Sequence, residues 1–247
     1  DDHLHGGRKG FNRYVWQCKE SDDALVFSRI SPDMEENYPG NLNVTVTYQL
    51  TKDNELIIDY KAISDKDTIV NLSNHSYFNL NGVSDLQDDL SVLNHKIKLY
   101  ADRKLTMDND KRPDGNIISC IGTPYDFSSF KTVGDGIAIM NNGYDDYYIA
   151  NENHGSLKKL KVVAEAYSEK TRIKMTCQSE EPGFIFYTGN YLFKKSGKYN
   201  KEYNQYSGFC IETHGYIDSI HNKNFPSLIL PKNQEYHTRT VYSFDIF

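Results

Sequence analysis

The run LNVTVTYQL (residues 42–50) sets Leu42, Val44, Val46 and Tyr48 against Asn43, Thr45, Thr47 and Gln49. A strict two-residue period marks a strand with one face in a core and the other in water. The pattern recurs along the chain. NELIIDYKAIS follows after a polar TKD, a composition that suits a hairpin turn. HKIKLYA, LKVVAEAYS, TRIKMTCQS, FIFYTGNYL and TRTVYSFDIF are similar runs, and EKT alone separates VVAEAYS from RIKMTCQS. Helical periodicity is scarce; Ile137 to Met140 suits a single turn. Strands of this kind bury their apolar faces only against another sheet. The sequence therefore predicts one all-β domain over residues 1–247, a large antiparallel β-sandwich.

Charge and composition exclude several functions. The 247 residues carry a formal net charge of -6, spread along the chain. That argues against nucleic acid as a partner and against an acidic membrane surface. No apolar run approaches the roughly 20 residues of a membrane helix. Cys18, Cys120, Cys177 and Cys210 are irregularly spaced, with no C-x-x-C pair, and read as buried thiols. Glycosylation sequons fall at Asn43, Asn71 and Asn74. A glycan on Asn74 would crowd His75, which favours a cytoplasmic protein in which sequons go unused.

Several polar residues break the strand pattern. His3 and His5 precede Gly6 and Gly7 near the start, and the glycine pair suggests close backbone approach to a ligand. His75 lies between the strand-like Ile69, Val70 and Leu72 and the core-like Tyr77, Phe78 and Leu80. Asp145 and Asp146 follow a glycine turn, Glu180 and Glu181 precede Pro182 and Gly183, and Glu212 interrupts the apolar Phe209, Cys210 and Ile211. Each has an ordinary reading. His75 alone could be a satisfied structural histidine. His3 and His5 have a metal-binding H-x-H spacing but no nearby cysteine or acidic cluster, so no metal is expected. Asp145 and Asp146 could be turn residues, and Glu181 a solvated loop residue. Glu212 is harder to dismiss, because an unpaired carboxylate inside an apolar strand costs several kcal/mol. Together, a carboxylate base, histidine acids, a further aspartate and many aromatic and amide side chains describe a sugar site.

Longer strings carry a resemblance. LHGGRKGF, YPGNLNVTVTYQLT, NLSNHSYFNL, EPGFIFYTGNYL and YSGFCIETHGYIDSIHNKNFPSLIL closely resemble the aldose 1-epimerase family, the galactose mutarotases, in the same order from Leu4 to the C-terminus. The resemblance implies a β-supersandwich. It implies that His75 is the general acid and Glu212 the general base, that His5 and Asp145 bind sugar hydroxyls, and that Glu181 and Phe184 of the EPGF stretch touch substrate. The implied partner is a monosaccharide, galactose or glucose, with no metal or cofactor. This sequence has Glu181 where the family commonly has Gln, and His214 where Gln often follows the ET motif. Family members also usually carry further strands and a sugar-contacting arginine before LHGG. The expectation is therefore a mutarotase-like domain lacking those N-terminal strands, with a separate segment or a fused upstream domain as possible partner. Two rivals keep the fold. A hexose-6-phosphate 1-epimerase would need a basic group such as Arg8 with Lys9, and a non-catalytic sugar-binding module would bind without anomer exchange.

Overall fold

The computed structural model describes residues 3–84, 89–108, 110, 112–151 and 159–247. Two antiparallel sheets hold most of the strand residues. The large one has nine strands in the order Gln17–Ser21, Ala24–Ser31, Leu42–Leu50, Glu55–Ser64, Glu235–Ile246, Ile173–Ser179, Lys161–Tyr167, Lys96–Leu99 and Lys131–Thr132. The smaller has five, in the order Cys210–His214, Gly183–Tyr187, Asp145–Ile149, Arg103–Met107 and Pro113–Ser119. The polar turns TKD and EKT close hairpins of the large sheet, as their composition predicts.

The core forms where the sheets face each other. Ile58, Ile97, Val163, Met175 and Tyr242 from the large sheet share one cluster with Tyr148, Phe184, Phe186 and Ile211 from the small one. This two-layer packing is the all-β sandwich that strand alternation predicts.

Four local expectations change. The single turn at Ile137 to Met140 is the second half of an α-helix, Val133–Met140. Of the run around Ile69, Val70 and Leu72, only Thr68–Ile69 is a strand, paired with Ile229–Leu230, and residues 70–77 lie outside any strand. Tyr77 is 45% exposed rather than core. Cys18 is also exposed, because its strand lies at the edge of the large sheet and both of its faces meet solvent.

Candidate active site

Strand Cys210–His214 is buried along its whole length, and alternation puts Cys210, Glu212 and His214 on one face. The register fixes their neighbours. Cys210 lies opposite Tyr187, which lies opposite Asp145. Glu212 lies opposite Ile185 and then Tyr147, and His214 opposite Gly183 and then Ile149. Ile211, Phe186 and Asp146 point to the other face, as do Thr213, Phe184 and Tyr148. Asp145 is thus on the face of Glu212, whereas Asp146 pairs at 2.5 Å with Lys104 on the far side.

The same parity corrects one expected sugar contact. Phe184 is fully buried in the core between the sheets, its ring stacked on Tyr148 with centroids 5.9 Å apart. A residue one step along a strand from the site face is turned away from that site.

His75 arrives from outside the sheets, on the segment before Phe78. Two anchors hold that segment. Phe78 and Phe209 exchange backbone hydrogen bonds of 2.8 and 2.9 Å. The Asn74 amide donates at 3.2 Å to the hydroxyls of Tyr60 and Tyr242, two residues of the large sheet. His75 Nε2 consequently stands 3.5 Å from Glu212 Oε1, and Nδ1 lies 3.3 Å from Cys210 Sγ. Its ring stacks on Tyr77 at 5.0 Å and meets Tyr187 edge-on at 5.8 Å. His5 also packs edge-on against it, with ring centroids 5.5 Å apart. The chain around His5 is built for this approach. His5, Gly6 and Gly7 all have positive φ, and a Cβ on Gly7 would run into the Glu36 side chain. Glu36 in turn accepts hydrogen bonds from the backbone N–H groups of Arg8 and Lys9 at 2.9 and 3.2 Å. His3 leaves this group and packs edge-on against Tyr38.

Both groups are held away from their ordinary values, each toward its neutral form. Burial, with the negative charge of Asp145 beside it, raises the Glu212 carboxyl to about 8. Burial and the neighbouring His5 hold His75 below the ordinary imidazole value. The Glu212 side chain is 10% exposed and that of His75 35%, so the pair opens to solvent on the histidine side.

Glu181 and His214 have different surroundings from those expected. Glu181 is buried rather than solvated; its Oε1 accepts from the Tyr236 hydroxyl at 3.0 Å, and its N–H donates to Ser179 Oγ at 3.1 Å. His214 is pushed down to about 4 by burial. Its Nδ1 donates to the Gly215 carbonyl at 2.7 Å, and its own carbonyl accepts from the Tyr147 hydroxyl at 2.9 Å. His214 is thus a buried, neutral histidine on the Glu212 face of its strand. Tyr77, read from sequence as core, Cys210, read as a buried thiol, and Tyr187, which no sequence pattern marks, wall the histidine. Cys210 was nonetheless accessible from sequence, because it precedes Glu212 by two residues in a strand.

Comparison with known proteins points to one family. The family profile described as aldose 1-epimerase matches residues 2–243. The galactose mutarotase of Rattus norvegicus is 34% identical over 245 residues, covering 98% of this chain and 69% of that protein. The aldose 1-epimerase of Escherichia coli K12 is 32% identical over 249 residues, covering 98% and 70%. A solved aldose epimerase homologue from C. elegans superposes with a TM-score of 0.87 at 25% identity, covering 99% of this chain and 72% of the other. With a matching fold and sequence identity along nearly its whole length, the chain belongs to the aldose 1-epimerase family.

Proposed function

We propose that this chain interconverts the α and β anomers of galactose or glucose by acid–base ring opening and reclosure. The observation that carries the reading is the placement of His75 Nε2 3.5 Å from Glu212 Oε1, within a wall of Tyr77 and Tyr187. The anomeric carbon of a cyclic aldose bears two oxygens, its hydroxyl and the ring oxygen. These are neighbours on one tetrahedral carbon, so an acid and a base lying side by side can each address one of them. Glu212, ionised, takes the proton from the C1 hydroxyl. His75, protonated, gives one to the ring oxygen as the C1–O5 bond breaks, leaving the open-chain aldehyde. Rotation of about half a turn about C1–C2 presents the other carbonyl face, and closure reverses both transfers. Protons balance, and carbon undergoes no net oxidation.

The other residues bind. Asp145, on the Glu212 face, accepts from sugar hydroxyls, and His5 adds a second polar group beside His75. The aromatic rings offer apolar faces to the C–H side of the sugar. Glu181 is assigned a supporting role through Tyr236. Its carboxylate, where the resemblance would place an amide, accepts hydrogen bonds that an amide NH₂ would donate, which bears on which hydroxyl pattern is preferred. Free cysteines at all four positions support a reducing, cytoplasmic setting. Among the described residues no helix is long and apolar enough to cross a membrane.

Polarimetry tests the reading. Freshly dissolved α-galactose should relax to its anomeric equilibrium faster with this chain than without it, and Glu212→Gln should abolish the acceleration. Saturable galactose binding with no acceleration would overturn catalysis and leave a binding module.

A further inference from the structure

The catalytic pair has a third neighbour that ring opening does not use. Cys210 Sγ lies 3.3 Å from His75 Nδ1, on the same strand face as Glu212. One nitrogen of His75, the sulfur of Cys210 and one oxygen of Glu212 all lie within 4.8 Å of one another. In a tetrahedral zinc site, bonds of about 2.0–2.3 Å put neighbouring ligand atoms roughly 3.3–3.8 Å apart. The 3.3 Å separation runs from Nδ1 to sulfur and the 3.5 Å one from Nε2 to oxygen, so a single nitrogen serves the site once side-chain rotation draws the 4.8 Å set inward by about 1 Å. We propose that His75, Cys210 and Glu212 form a binding site for one zinc-like divalent cation, and that its occupation excludes the sugar.

The donor set selects the ion. One imidazole, one thiol and one carboxylate suit Zn²⁺, Cd²⁺ or Co²⁺, whereas Mg²⁺ and Ca²⁺ require shells of oxygen. Three protein ligands leave a fourth position for water. The side of entry is that of the partly exposed His75, whose ring can turn to close the remaining gap. Binding replaces the thiol proton by a metal–sulfur bond and releases that proton to solvent; any carboxyl proton leaves in the same way, and no electron transfer is involved. Cation binding stands on geometry alone. The inhibition it produces rests on the proposed mutarotation, because the ligands are the acid and the base of that reaction.

The test uses Co²⁺ and Zn²⁺ with the full chain in chelator-free buffer. Cys18→Ser is the background, since that exposed thiol would otherwise contribute. Co²⁺ should bind one to one with a near-ultraviolet thiolate-to-cobalt charge-transfer band. Zn²⁺ should displace it, Mg²⁺ should not, and excess galactose should weaken it. Cys210→Ser should remove the band and weaken Zn²⁺ binding at least about ten-fold, the lower end of what losing even an outer-shell partner costs. His75→Ala, a change at the exposed edge, should weaken it similarly, so the test survives if the buried substitution fails to fold. In polarimetry, Zn²⁺ should inhibit competitively with galactose, with the rate restored by EDTA. Cobalt binding without a thiolate band, or zinc affinity unchanged in both variants, would overturn the site. A chain that shows the band but no mutarotation keeps the cation site and overturns only the enzymatic reading.

Discussion

At the scale of single residues the site depends on two groups held away from their ordinary protonation. Glu212 is raised to about 8 and His75 lowered below 6.5, so between these values the pair holds one proton. Proton transfer needs that one-proton form, with the proton on His75 as the sugar reacts. The kcat/KM profile should therefore be bell-shaped, with an acid limb below pH 6.5 and an alkaline limb near pH 8, both belonging to the pair. Asp145 is the second cause of the Glu212 shift, so Asp145→Asn should move the alkaline limb to lower pH as well as weaken binding. An alkaline limb unmoved by that change would separate Asp145 from the base. Removing either partner, in His75→Ala or Glu212→Gln, should cost about a hundred-fold or more in kcat, measured by polarimetry.

At the scale of elements, strand register positions the base and two short devices support it. Gly183 is one. It pairs with His214 and Ile149, and a Cβ there would press into the Tyr147 ring, whose hydroxyl holds the His214 carbonyl. Gly183→Ala should lower stability by about 1–3 kcal/mol, read from a denaturant midpoint, because the strand has nowhere to yield. The loop 5–10 is the other. Glu36 ties it down through two backbone N–H groups. Glu36→Ala should raise KM for galactose several-fold with kcat nearly kept, since it loosens His5 without touching the acid or the base. A fall in kcat equal to that in kcat/KM would show instead that the loop acts in the transition state. The strands themselves were legible because alternation reports burial directly, as at Val44, Ile58 and Val163. The segment 70–77 was not. Val70 and Leu72 pack against the cores as irregular chain, which periodicity does not describe.

At the scale of the whole molecule, the site lowers stability. In the unfolded chain a glutamate titrates near 4.5, whereas folded Glu212 does so near 8. Folding is favoured by this group while the carboxyl is protonated in both states. That contribution is lost progressively as pH rises from about 4.5 to about 8, and the loss then levels off. Glu212→Gln removes the linkage. Its melting temperature relative to the parent chain should rise across that window, even though its activity is gone. A constant difference from pH 4.5 to 8 would show that Glu212 is not held protonated by burial. Such opposition between stability and chemistry is expected where an ionisable carboxyl is buried in an apolar layer.

The sequence by itself determined the strand runs, the all-β class, and the identities of His75, Glu212, His5 and Asp145 as residues out of keeping with their surroundings. These are local properties, and period and residue chemistry report them without a partner. Tertiary structure decided which of them meet. His75 and Glu212 are 137 positions apart and come together through the Phe78–Phe209 bridge, a pairing invisible to any local window. It also decided parity across the sheet, which turned Phe184 into the core, brought Asp145 rather than Asp146 to the face of Glu212, and set the sulfur of Cys210 beside His75. A one-residue difference along a strand reverses the face, and only the pairing of distant strands says which face lies over the site.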